Sequence, residues 1–317
     1  MFKRLCLFLV MALSAVCCAQ ETTPTERLVF AGPPEGILSL PVLRMIETTS
    51  GSDVEFVEWK TPDQLRSLIS SRRADVVACH VNVAANFANR GADVRLLNVT
   101  LWKLFWLVGT ADNASLTSAG LSGLQVGVPL KGDLPDVLIS TLKKKLNNGM
   151  TLMYAPSSVS LAHWLLGGKT NLAMLPEPVA SSLLVKSHKA NGSMRRSLDV
   201  QQLWSEAFGG PSRLPFAGIA AVGDRVSDAR LRQFVSDYAD AARWCRENPH
   251  EAALLPSRHM PTTALDIDAL GQSLGIAPPQ PERAADCRRE IEDYLRVIEN
   301  ENPNLIGNKL PDATFYF

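Results

Sequence analysis

From Arg27 onward, short apolar runs alternate with amphipathic stretches, and this alternation confines the chain to one broad architecture. Apolar runs separated by helical periodicity are the pattern of βαβ units, which build mostly parallel sheets covered by helices. Residues 28–31, 54–59 and 74–79 read as strands. Between the second and third, Thr61, Pro62 and Gln64 supply a hydroxyl cap, a first-turn proline and a capping-box partner. Leu65, Leu68 and Ile69 follow at helical spacing, and residues 82–90 form the next predicted helix, stopped by Gly91.

A second block repeats the plan, with strands at 124–128, 151–154 and 171–175 and helices at 134–146, 159–166 and 179–186. Pro135 and Pro178 fall where a first turn tolerates proline. Residues 96–109 are an unusually apolar crossing segment containing Trp102, Phe105 and Trp106, and 187–197 read as a surface loop. A strand at 216–222 precedes predicted helices at 228–247 and 284–300. The economical arrangement is an α/β fold of two lobes with the second inserted into the first. Residues 27–105 and 220–317 make one lobe and 106–219 the other. Two crossings make a hinge, and a hinge implies a cleft.

Composition narrows the function. With 46% hydrophobic and 20% charged residues over 317 positions, the chain is an ordinary globular sequence, long enough for two domains. Lys plus Arg and Asp plus Glu number 32 each, with no basic stripe for nucleic acid. Lys3 and Arg4 ahead of an apolar stretch and the small residues Ala15 to Ala19 read as a secretory signal peptide, residues 1–19. Its removal leaves a slightly acidic exported protein. Lipid attachment at Cys17 or Cys18 is the competing processing, although Val16 and Cys17 precede them where a lipobox has a small residue. Cys79, Cys245 and Cys287 remain, an odd number that makes no disulfide framework; Cys245 and Cys287, on apolar faces of predicted helices, read as buried thiols.

In open α/β sheets, ligands bind beyond the carboxyl ends of strands, where helix N-termini present free N–H groups. The residues at those places are Pro33, Glu35, Trp59, His80 and Asn82 in the first block, and Lys131, Asp133, Ser157 and Glu177 in the second, with Trp102 at the crossing. Each has a structural reading as well. Asp133 and Ser157 can be plain helix caps, and Glu177 can balance a helix dipole. His80 can be a hydrogen-bonded structural histidine, and Trp102 can be hinge packing. Hydrolase, metalloprotease, phosphate-loop and dinucleotide motifs are missing, and the five histidines lack metal-ligand spacing, so the sequence calls for no cofactor and no metal.

Six stretches carry a family resemblance: GPPEG at 32–36, WKTPDQLRSLI at 59–69, ADVVACHVNVAANFANRG at 74–91, PLKGDLPDVL at 129–138, LLGGKTNLAMLPEPVASSLL at 165–184 and NPNLIGNKLPDATFYF at 302–317. They resemble the substrate-binding proteins of ABC importers, in the branch associated with nitrate, sulfonates, taurine and the aminopyrimidine precursor of thiamine. The Glu177-Pro178 pair looks like that family's helix start. The resemblance implies a two-lobed type II periplasmic-binding-protein fold, a monomer that closes on a small solute and delivers it to an ABC permease. It carries binding roles onto Pro33, Glu35, Trp59, Asn82, Lys131, Asp133, Ser157 and Glu177, while His80 stands where relatives have a small polar residue. Lys131 favours a small anion, whereas Asp133, Glu177 and the tryptophans suit an amine-bearing heteroaromatic such as an aminopyrimidine, the preferred reading. The alternatives are an enzyme on the same fold, of the thiamine-pyrimidine or menaquinone type, and a solute sensor for a membrane receptor.

Overall fold

The computed structural model describes residues 27–33, 36–48, 53–110, 116–260 and 266–317. The predicted leader and Glu35 lie outside the described residues. The first run of elements is β1 (Leu28–Gly32), α1 (Leu40–Thr48), β2 (Val54–Glu58), α2 (Pro62–Ser70), β3 (Val76–His80), α3 (Val81–Asn89) and β4 (Val94–Leu101). The second is β5 (Phe105–Gly109), β6 (Gln125–Pro129), α4 (Leu134–Lys145), β7 (Thr151–Ala155), α5 (Ser158–Leu166), β8 (Leu172–Pro176), α6 (Val179–Lys189), β9 (Arg195–Asp199) and α7 (Val200–Phe208). The return contains β10 (Ala217–Val222), α8 (Asp228–Glu247), α9 (Pro249–His259), α10 (Ile267–Ile276), β11 (Glu282–Arg283) and α11 (Arg288–Glu301).

Two sheets result, in the orders β11-β4-β10-β3-β1-β2 and β7-β6-β8-β5-β9. In the first, β1 pairs in parallel with β2 and β3, and β10 lies antiparallel between β3 and β4. In the second, β6 pairs in parallel with β7 and β8, and β5 lies antiparallel between β8 and β9. β10 and β5, the reversed strands in the interior of the two sheets, are the ones that have just arrived from the other sheet, and β11 adds a second reversed strand at the edge of the first. Gly218 makes the β10 insertion possible, because a Cβ there would stand 1.9 Å from the Asn98 carbonyl oxygen of β4.

Local chemistry explains the element starts. Thr61 accepts a hydrogen bond from the Gln64 N–H at 3.2 Å, and the Gln64 side chain returns to the Lys60 N–H at 2.6 Å. Such a cap contributes about 1 kcal/mol. Between the helices and the sheets, one apolar core runs from the first sheet into the second and fully buries Phe30, Leu43, Leu96, Phe216 and Phe234, each contributing about 1.5–3 kcal/mol of burial. A smaller cluster around Leu161, Leu165, Leu175 and Leu183 seals α5 and α6 onto β8.

The crossing segment 96–109 does carry the chain from one sheet to the other, as β4 to Leu101 and β5 from Phe105. Two local expectations need correction. The predicted surface loop 187–197 instead continues α6 to Lys189 and then forms most of β9. That strand was hidden because Leu198 is its one apolar residue, so no alternation marks it. Cys287 precedes α11 and does not lie on its apolar face; its thiol donates to the Arg283 carbonyl at 3.2 Å. All three described cysteines are free and buried. Burial pushes each thiol up to about 12, so none is a thiolate at neutral pH.

Candidate functional site

Parallel strands bring their carboxyl ends together, and the turns that follow make the first lobe's contribution. The Trp59 N–H donates to the Gly32 carbonyl at 3.1 Å, tying the β2 end beside the β1 end and Pro33. The Pro33 carbonyl accepts from Ser39 Oγ at 2.7 Å, which fixes that turn. His80 stands at the start of α3 without capping it. Asn82, in the first turn, is 2% exposed; its Nδ2 donates to the Leu305 carbonyl at 3.4 Å, and its Oδ1 has no hydrogen-bond partner. Trp59 Nε1 is likewise buried and unpaired. A buried donor and a buried acceptor without partners each leave a desolvation cost that a bound molecule can recover.

The second lobe contributes the turns after β6 and β7. The Leu130 N–H donates to the Ala155 carbonyl at 2.9 Å, which joins the two strand ends. Asp133 caps α4 through the Leu134 N–H at 2.7 Å, and Ser157 caps α5 through the Ser160 N–H at 3.0 Å. Both are helix caps, as their structural reading holds. Asp136 braces the turn by accepting from the Gly132 N–H and the Tyr154 hydroxyl, both at 2.8 Å. Lys131 is exposed, with its Nζ 5.2 Å from the Tyr154 ring centroid.

Two observations bring these turns against the first lobe. Asn302, just past α11, donates from Nδ2 to the Gly132 carbonyl at 2.9 Å. Asp133, three residues after Leu130, acts electrostatically on His80. His80 is exposed to solvent. Desolvation by the protein near its ring lowers its pKa from 6.5, and the Asp133 charge and the Phe216 backbone oppose the shift. Two ion pairs also join the lobes, Lys144 to Glu301 at 2.5 Å and Lys189 to Asp266 at 3.1 Å.

Glu177 and Trp102 belong to the walls. The Glu177 side chain is fully buried: Oε1 accepts from Arg196 at 2.6 and 3.0 Å, and Oε2 accepts from the Ser181 N–H and hydroxyl at 3.2 and 2.7 Å. Its carboxylate has no capacity left for a ligand. Trp102 is 3% exposed and donates from Nε1 to the Gln280 carbonyl at 2.9 Å, with the Arg213 guanidinium 4.0 Å above its ring. It thus packs against the return segment where the chain crosses between the sheets. Sequence reasoning missed Arg196 and Asn302. Arg196 lay in the segment taken for a loop, and no local signal marks Asn302, whose partner is 170 residues away.

The C-terminal stretch docks on α3 by repetition. Asn82, Asn86 and Asn89 share one helix face and donate to the carbonyls of Leu305, Asn304 and Ile306, the last two at 2.6 Å. Gly307, at φ 76°, permits the approach, since a Cβ there would stand 2.8 Å from the Asn89 Cβ. A cavity of about 730 Å³ lies elsewhere, between the far half of α6 and α9 and α10, lined by Leu184, His188, Met194, His250, Ile267 and Gln272. Among the described residues, no cluster of His, Cys, Asp and Glu is arranged to hold a metal, and no helix is long and apolar enough to cross a membrane.

No protein-family model matches the sequence, and no curated protein matches it. Solved structures do match. An ABC transporter protein from Parabacteroides distasonis superposes with a TM-score of 0.75 at 20% identity, over 92% of this chain and 99% of its own. The periplasmic aliphatic sulphonate binding protein SsuA of Escherichia coli gives 0.71 at 13% identity, over 93% and 92%. The alkanesulfonate-binding protein SsuA of Xanthomonas axonopodis, bound to MOPS, gives 0.63 at 12% identity, over 93% and 99%. The likeness establishes the type II periplasmic-binding-protein fold, two α/β lobes joined by two crossings.

Proposed function

We propose that the protein is an extracytoplasmic solute-binding protein, which captures a small solute between its lobes and delivers it to an ABC permease. The observation that carries this reading is the opposition of the two sets of strand-end turns, with Asn302 from the return segment holding the Gly132 carbonyl at 2.9 Å beside the Lys144–Glu301 ion pair. A molecule lying there touches Pro33, Trp59, His80 and Asn82 on one side and Lys131, Asp133 and Ser157 on the other. Its binding stabilises the closed arrangement without any bond being made or broken. The fold and its neighbours support this, since those neighbours are named as transport and binding proteins.

A solute with both an acceptor and an N–H donor would satisfy the buried, unpaired Trp59 Nε1 and Asn82 Oδ1 once the cleft opens to them. An amine-bearing heteroaromatic such as an aminopyrimidine meets that demand, and a small anion such as nitrate offers acceptors alone. Export through the leader at 1–19 would place the protein where a permease can meet it. Mass spectrometry of small molecules released from natively purified protein tests the reading, backed by thermal denaturation with aminopyrimidines, sulfonates and nitrate. The right solute at a hundredfold excess over its Kd adds about 2.7 kcal/mol of stability. A protein that releases nothing and is stabilised by no solute would overturn the proposal.

A further inference from the structure

Among the described residues, four large apolar side chains are markedly exposed: Leu130, Val159, Leu166 and Phe208. Two of them have an ordinary place. Phe208 stacks on Trp204 with centroids 4.4 Å apart, and Leu166 ends α5, about 10 Å along the helix from its first turn. Leu130 and Val159 instead occupy one rim: β6 and β7 pair in parallel with Pro129 opposite Ala155, Leu130 follows β6 directly, and Val159 stands in the first turn of α5, four residues past the end of β7. That rim is the one held against the first lobe through Gly132 and Asp133.

Leu130 is also strained. Its φ is 58°, in the left-handed region that a branched side chain enters only at a cost, two residues before Gly132, which adopts 83° freely. A leucine contributes nothing to such a turn that glycine or asparagine would not provide better. It does place an apolar group in the open, beside Lys131 and Asp133.

We infer that Leu130, with Val159 beside it, is a specificity-determining ledge that receives the apolar face of an organic solute whose polar end lies against Lys131 and Asp133. This rests on the proposed solute-binding reading and deepens it: the ledge selects molecules with an aromatic or aliphatic face over small inorganic ions, which cannot cover it.

The test uses anilinonaphthalene sulfonate, an aromatic probe with an anionic end, titrated by fluorescence against the full-length protein and the variants Leu130→Ser, Val159→Ser, Leu130→Gly and Leu166→Ser. The probe binds the unaltered protein, and Leu130→Ser and Val159→Ser each weaken it roughly tenfold, the worth of one lost apolar contact. Leu166→Ser leaves it unchanged. Leu130→Gly also loses the probe, while its Tm rises by about 2 °C as the strained backbone relaxes, which separates lost contact from lost folding. The inference is overturned if the probe ignores both ledge substitutions, or if Leu166→Ser weakens it equally. Uptake lost in cells with probe binding intact would also overturn it, by making the rim a docking surface for a membrane partner. Loss of the probe in the ledge variants, with no solute of the earlier panel stabilising the protein, would leave the ledge standing and remove the transport reading.

Discussion

The turn from β3 into α3 and the turn from β8 into α6 occupy the same topological place in the two lobes, yet their polar groups are used in opposite ways. In the second lobe, Glu177 folds inward, receives Arg196 and the Ser181 N–H, and leaves nothing unpaired on its carboxylate. In the first lobe, His80 leaves α3 without a side-chain cap, and the buried Asn82 keeps an unpaired acceptor. One turn is closed by its own lobe and holds the wall rigid. The other keeps a hydrogen-bonding demand that its own lobe does not meet.

The largest effect expected from this contrast is at Glu177. Glu177→Ala strands Arg196 in a mostly buried place, and chemical denaturation should show a loss of about 3–5 kcal/mol, since removing one partner leaves the other charge uncompensated. A variant that keeps its stability but loses solute binding would return Glu177 to the ligand and erase the contrast. Next comes Asn82→Ala, expected to cost about 1 kcal/mol of stability through the long bond to Leu305, while weakening the solute identified by mass spectrometry roughly tenfold in calorimetry. Unchanged affinity would make Asn82 a support for the C-terminal stretch only.

A pH effect follows at His80. Its folded pKa lies below the ordinary 6.5, so the folded state takes up its proton later than the unfolded chain as the medium acidifies. The stability it supports is therefore full above that ordinary value and is lost as pH falls through the folded one. Denaturation midpoints of His80→Gln should fall less over this window than those of the unaltered protein; parallel slopes would show that His80 does not titrate there. The smallest effect belongs to Lys189→Ala. That side chain is exposed and paired with Asp266, which raises its pKa, and a surface pair contributes little, so the melting midpoint should stay unchanged. Small-angle scattering should show a modestly more open particle at low salt, an effect that disappears at high salt.

Much of the fold was legible because it is written in local chemistry. Caps such as Thr61, Asp133 and Ser157 stand within a few residues of the N–H groups they satisfy, and apolar periodicity marks β1, β3, β6 and β8 directly. Positions at strand ends could be named for the same reason, since a parallel strand followed by a helix puts its turn on the binding edge. The roles of those residues were less legible. Glu177 looks identical in sequence whether it faces a solute or Arg196, and β9, which supplies that arginine, has a polar strand sequence with no alternation to announce it.

The sequence by itself determined the βαβ order, the starts of α2, α4, α5, α6 and α8 and the set of strand-end turns, though not α1, α7, α9 or α10, because hydrogen-bond capping and apolar period act over a few residues. Tertiary structure alone decided which of those side chains remain available. It turned Glu177 and Trp102 into the walls, set Asp133 against His80, and put Asn302 across the gap onto Gly132. The physical reason is that a polar group's availability depends on whichever partner reaches it in the fold, and contacts beyond the span of one helix or strand, from 19 residues for Glu177 and Arg196 to 178 for Trp102 and Gln280, leave no trace in local pattern.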